Sequence, residues 1–142
     1  MSNHAGAYKM VDTLGKTQID LILQVYDGVI AELTSARALY EQQQYIKGYK
    51  HLERAERFVT HLYTTLDPES GGEIARNLGK LYAWVIGKLH EVQATKERAR
   101  FDECLKIMEN LRAGWVAIKA GSTQTAPSAD TAATAGQLQV VG

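Results

Sequence analysis

The chain has 142 residues, a length that suits one domain with a core of its own. Lys and Arg number 16, and so do Asp and Glu; that balance leaves no basic footprint for nucleic acid or for an anionic membrane surface. Hydrophobic residues make up 45%, which excludes wholesale disorder. A single cysteine, Cys104, suits a reducing compartment better than a disulfide framework. The first ten residues hold no basic stretch followed by an apolar one, and no apolar run approaches membrane-spanning length. The expected location is the cytoplasm, with no membrane insertion.

Residues 1–16 are weakly periodic, with Tyr8, Met10, Val11 and Leu14 as possible anchors, and are expected to form a short N-terminal cap segment. From about Gln18 to Gln44, Ile22, Tyr26, Val29, Leu33, Ala36 and Tyr40 follow alternating steps of four and three, the seam of one helix face. Thr17 with Asp20 three residues later is a plausible N-cap pair for this helix. A second helix is expected from Tyr45 to Leu66, with Tyr45, Tyr49, Leu52, Ala55, Val59, Leu62 and Leu66 as its stripe. The run Asp67-Pro68-Glu69-Ser70-Gly71-Gly72 breaks the pattern. Two starts for the next helix are open: Ser70 with Glu73 as a capping box, or Asp67 as N-cap with Pro68 in the first position.

The third helix is expected from Gly72 to Ala94 on a stripe of Ile74, Leu78, Leu81, Val85, Leu89 and Val92. The fourth is expected from a Thr95 N-cap to about Ala120, with Phe101, Leu105, Met108, Leu111, Trp115 and Ile118 inward. Four amphipathic segments of similar length with short connections predict an all-α, antiparallel up-down four-helix bundle over residues 17–120. Residues 121–142 are rich in Ala, Thr, Ser and Gln and are expected to be a disordered tail.

No catalytic constellation stands out. Histidines at 4, 51, 61 and 90 lack metal-ligand spacing, so neither a metal nor a cofactor is expected. Cys104 falls on the apolar side of the fourth helix and reads as a small core residue. Gly71-Gly72 lacks the Gly-Lys-Ser/Thr ending and the preceding strand of a phosphate loop. The acidic pair Glu53 and Glu56 sits among Arg54 and Arg57, a solvated charged face. Two features exceed what a plain bundle needs. The first helix carries Ile19, Leu21, Leu23, Val25 and Ile30 outside its seam, either a wide core face or a groove for another amphipathic segment. Glycines 28, 48, 79, 87 and 114 lie inside helical stretches, each costing roughly 0.5–1 kcal/mol relative to Ala, for close packing or for adaptability.

Specific strings carry a resemblance. Leu21-Ile22-Leu23-Gln24-Val25-Tyr26-Asp27-Gly28 resembles the Leu-Ile-x-Met-Leu-Tyr-Asp-Gly signature of the flagellin-export chaperones, the FliS family. Leu66-Asp67-Pro68-Glu69-Ser70-Gly71-Gly72-Glu73-Ile74-Ala75-Arg76-Asn77-Leu78, followed by Leu81-Tyr82, is similar to that family's Gly-Gly-Glu-Ile-Ala-x-Asn-Leu block. Leu111-Arg112-Ala113-Gly114-Trp115 resembles its Leu-Arg-x-x-Trp, and Tyr8 its N-terminal Ala-Tyr. The likeness covers about residues 7–118. Gln18 stands where the family often has Pro, Gln24 replaces Met, and the alanine-rich tail is not a family feature.

The resemblance implies an export chaperone, not an enzyme, whose client is the C-terminal segment of flagellin. It implies delivery of that client to the flagellar type III export apparatus, with the cytosolic domain of the export-gate membrane protein as a further partner. By the same resemblance Ile22, Tyr26, Val29, Ile74, Leu78, Tyr82 and Trp115 form or support the client groove. Tyr8, Met10 and Val11 would cap it or dock on the export gate, while Asp27, Glu73 and Asn77 orient or cap. The rival reading is a generic helical adaptor or oligomerisation bundle without a flagellar client.

Overall fold

A computed structural model describes residues 7–8 and 17–121; Met10, Val11, Leu14 and residues 122–142 lie outside the described residues. Four helices follow one another: α1 (Gln18–Glu41), α2 (Tyr45–Thr64), α3 (Pro68–Thr95) and α4 (Arg98–Lys119). Each packs on the next, and α4 closes the ring against α1. Cross-helix pairs fix the directions. Asp20, Asp27 and Arg37 of α1 meet Lys119, Arg112 and Asp102 of α4, a descending ladder that makes the two antiparallel. Glu32 meets His51 of α2, and Glu56 of α2 meets His90 of α3, in the same sense. The fold is the up-down bundle that the four stripes predict. Among the described residues the only strand-like pairing is one bridge, Tyr8 to Leu66.

The seam of α1 is buried throughout, from Ile22 to Tyr40. In α2, Leu52, Ala55, Val59 and Leu62 are buried, but Tyr49 lies largely exposed and Tyr45 half-buried. The inward faces of α3 and α4 are wider than one stripe. Tyr82 is buried beside Leu81, and Cys104 and Ile107 beside Leu105 and Met108. Burial pushes the Cys104 thiol up to about 12, so it is an inert packing group. Close helix contact accounts for Gly48: a methyl there would lie 2.5 Å from the Tyr40 ring.

Helix boundaries differ from expectation in four places. α1 stops at Glu41 rather than Gln44, because Gln43 takes a left-handed conformation (φ 61°) that turns the chain into α2. α2 stops at Thr64, which frees Leu66 to meet Tyr8. α4 begins at Arg98; Thr95 stays in α3, where its hydroxyl accepts the Glu97 N–H at 3.3 Å. Of the two starts left open for α3, Asp67 is the N-cap: its carboxylate accepts the Ser70 N–H at 3.3 Å, with Pro68 next.

That first turn is separated from the rest of α3 by a kink at Gly72 (φ 53°, ψ −127°), backbone that L side chains rarely adopt. Gly87, mid-helix, has ordinary angles; at both positions an added Cβ would meet nothing within 4 Å. The two substitutions to alanine therefore differ only in backbone strain. Gly72→Ala is expected to destabilise the chain by about 1–3 kcal/mol, and Gly87→Ala to stabilise it by about 0.5–1 kcal/mol, in urea unfolding followed by circular dichroism.

Candidate functional site

The start of α1, the end of α2, the start of α3 and the end of α4 share one end of the bundle. Here α2 stops early and the Leu66 N–H bonds the Tyr63 carbonyl, leaving the Leu62 carbonyl to find another donor. The Asp67 N–H donates to the Ala7 carbonyl at 2.7 Å, pinning the N-terminal pair Ala7-Tyr8 against the α2–α3 connection. Gly71 makes room for this. A Cβ on it would stand 2.8 Å from the Ala7 backbone and 2.7 Å from Ala75 Cβ. Within the double glycine, Gly72 therefore provides the kink and Gly71 the seat.

Pinned there, Tyr8 sends its ring into the core, 5.9 Å from the Trp115 ring. Its hydroxyl lies 3.1 Å from the Leu62 carbonyl and 3.0 Å from the Tyr82 hydroxyl, which lies 2.6 Å from the Tyr26 hydroxyl. Each phenol has one proton. Tyr8 is the donor at its end, its one proton divided between the Tyr82 hydroxyl and the Leu62 carbonyl, while either hydroxyl of the Tyr26–Tyr82 pair can donate to the other. One chain of hydrogen bonds thus joins α1, α3, the N-terminal pair and the last turn of α2. Burial raises the pKa of all three phenols above the ordinary value, Tyr8 and Tyr82 most clearly. The Trp115 indole N–H makes no hydrogen bond of normal geometry.

Two grooves flank the end of α2. One, of about 490 Å³, lies between α1 and α2 and is lined by Tyr8, Gln18, Leu21, Ile22, Val25, His61, Leu62 and the stretch from Thr64 to Leu66. The other, of about 610 Å³, lies between α2 and α3, with Tyr63, Ala75, Arg76 and Gly79 on its walls. They share Thr64 and Leu66, so the end of α2 is a rib between two neighbouring troughs. Troughs of this size with mainly apolar walls suit aliphatic side chains of a peptide.

The residues singled out in the sequence fall into three groups. Ile22 is buried and lines the first groove. Tyr26, Tyr82 and Trp115 converge on Tyr8 and lie fully inside, beneath the groove floor. Val29 and Leu78 are fully buried in the core, and Ile74 is half-buried against it. Met10 and Val11 lie outside the described residues. Asp27 bonds Arg112 at 2.6 Å, so the Tyr-Asp-Gly and Leu-Arg-x-x-Trp strings meet through both an ion pair and the aromatic cluster. Groove walls not singled out are Gln18, Leu21, Val25, Leu62 and Leu66. The signal for Leu21 and Val25 was the surplus apolar surface of α1. Among the described residues no cluster of His, Cys, Asp and Glu is set to hold a metal ion, and no helix is long and apolar enough to cross a membrane.

The raised phenol pKa values carry a pH dependence. Each folded value lies above the unfolded value near ~10, so this stabilisation is fully present below pH ~10 and is lost as pH rises above it. Absorbance at 295 nm is expected to show three tyrosines ionising only as the chain unfolds in alkali. Tyr82→Phe, which takes the hydroxyl partner from both Tyr26 and Tyr8, is expected to cost about 1–3 kcal/mol in urea unfolding.

Comparison with known proteins places this geometry. The family model described as flagellar protein FliS matches residues 1–122. The flagellar secretion chaperone FliSB of Pseudomonas aeruginosa is 30% identical over 95 residues, covering 67% of this chain and 75% of that protein. The flagellar secretion chaperone FliS of Salmonella typhimurium is 30% identical over 96 residues, covering 67% and 71%. That of Vibrio cholerae is 24% identical over 96 residues, covering 67% and 70%. The matched stretch takes in the seat, the hydroxyl chain and both grooves, and the chain accordingly belongs to the FliS family of flagellar secretion chaperones, a family of export chaperones and not of enzymes.

Proposed function

We propose that this chain acts in the cytoplasm as the export chaperone of flagellin: it binds the disordered C-terminal segment, prevents premature polymerisation and delivers it to the flagellar type III export apparatus. The observation that carries this reading is the pair of apolar troughs on either side of the α2 end, which the helices leave open. A segment that is disordered alone and amphipathic when helical could lay aliphatic side chains in both troughs across the rib. Ordering it would consume about 2–5 kcal/mol or more of the gross interaction, which keeps the complex releasable.

In this reading Ile22 touches the client together with Leu21 and Val25. Tyr26, Val29, Leu78, Tyr82 and Trp115 hold the groove floor from beneath, and Ile74 supports it from α3. Tyr8, with Met10 and Val11, caps the first groove in the absence of client and is the natural element to meet the cytosolic domain of the export-gate membrane protein.

Isothermal calorimetry with a flagellin C-terminal peptide tests the assignment. One-to-one binding is expected, with a gain of helix by circular dichroism. Val25→Asp, on the half-buried groove wall, is expected to weaken binding tenfold or more while the cooperative melt is kept. Ile46→Asp, on a residue 81% exposed at the opposite end, is expected to leave binding unchanged. A well-folded chain that self-associates and ignores the peptide would instead support the generic adaptor.

A further inference from the structure

Gln18 is the one polar side chain in the buried set among the described residues, at 5% exposed, and neither its Oε1 nor its Nε2 has a hydrogen-bond partner. A buried amide left unpaired is destabilising. The first helical turn does not require it; proline or an aliphatic residue would serve there without that cost. The Gln18 side chain lines the groove between α1 and α2, among Leu21, Ile22 and Val25. Both amide atoms are sealed from solvent in the free chain; turned into the groove, the amide would match the C=O and N–H of a single residue in an extended strand. The surrounding aliphatic surface matches side chains that alternate on one face of that strand.

We propose that this groove is the docking site of the chain's own C-terminal residues 137–141, Gln137-Leu138-Gln139-Val140-Val141. Their position and chemistry support this occupant. Lys119 at the end of α4 bonds Asp20 at 2.6 Å, two residues from Gln18, so the tail departs from the groove's own end of the bundle. Residues 122–136 contain no Val, Leu, Ile, Met or aromatic residue and would act as a spacer. Fifteen such residues span about 20 Å on average and at most ~50 Å, against helix separations of about 8–10 Å. Tethering at that length supplies an effective concentration in the millimolar range. Residues 137–141 carry no charge, Leu138 and Val140 fall on one face of a strand, and the β-branched valines favour extended backbone. Docked this way, the backbone of Gln139 meets the Gln18 amide while Leu138 and Val140 fill the groove beside Ile22 and Val25. The tail would then be a built-in competitor for whatever else the groove receives.

The test is methyl NMR on the full-length chain without client. Expected are cross-relaxation between the Leu138 and Val140 methyls and those of Leu21, Ile22 and Val25, and slowed exchange of the Gln18 side-chain amide protons. Leu138→Asp is expected to abolish both. Gln18→Leu, which keeps the groove apolar, is expected to lose the tail contacts as well. Tail methyls at random-coil shifts with no contact to α1 would overturn the proposal, and so would contacts to Ile22 and Val25 from Met10 and Val11 in place of the tail. A second arm rests on the chaperone reading: Leu138→Asp should tighten flagellin peptide binding about tenfold, as expected for release of a groove about nine-tenths occupied. The arms separate the failures. Peptide binding without tail contacts sinks the tail and spares the chaperone; tail contacts without peptide binding do the reverse.

Discussion

Three phenol hydroxyls, set end to end inside an apolar core, are the constraint on which this end of the bundle depends. A buried hydroxyl without a partner is costly, and these three find their partners in one another and in the Leu62 carbonyl. The carbonyl is available because α2 ends early, and α2 ends early where Leu66 turns away to meet Tyr8. Helix length, N-terminal docking and core polarity therefore constrain one another. Removing Tyr8 from its seat takes one partner from the Tyr82 hydroxyl and leaves the Leu62 carbonyl without a donor, while the Tyr26–Tyr82 bond remains.

This coupling gives the N-terminal pair an influence larger than its contact area. Ala7 is held by one backbone hydrogen bond from Asp67 and by the space that Gly71 leaves at the α2–α3 connection. Tyr8 passes inward from there, forms part of the wall of the first groove and ends against Trp115. A ligand entering the groove, as proposed, would press on the same side chain that completes the hydroxyl chain. The bundle beneath, built from long aliphatic seams, is not part of that exchange. A chaperone that must bind and release a client gains from such a division between a firm core and one responsive end.

Much of the bundle was legible because helical periodicity is a local property. Ile22, Tyr26, Val29, Leu33, Ala36 and Tyr40 follow the seam of a single helix, and all are buried. Helix ends were less legible, because they depend on which competing donor wins. Thr95 has the composition of an N-cap, but its hydroxyl serves Glu97 from within the last turn of α3. The hydroxyl chain was invisible in advance: its members are 18 to 74 residues apart, and nothing in the spacing of Tyr8, Tyr26 and Tyr82 shows that three helix faces meet there. Strings that mark the family proved to share one place, with Tyr26, Tyr82 and Trp115 around Tyr8 and Asp27 on Arg112. The grooves were only half legible. The apolar surplus of α1 pointed to Leu21 and Val25, but Gln18 looked like a replaced proline and gave no hint that its amide is buried and unpaired.

Hydrogen exchange at the Asp67 amide tests the central claim most directly, because that N–H is the bond that holds Ala7 in its seat. In the free chain it should be protected. On saturation with the flagellin C-terminal peptide it should exchange markedly faster, while the amides at the centres of α1 and α3 keep their protection. Full protection at Asp67 with the peptide bound would mean that the client engages a surface unconnected to the N-terminal seat, and the account given for this end of the bundle would be wrong.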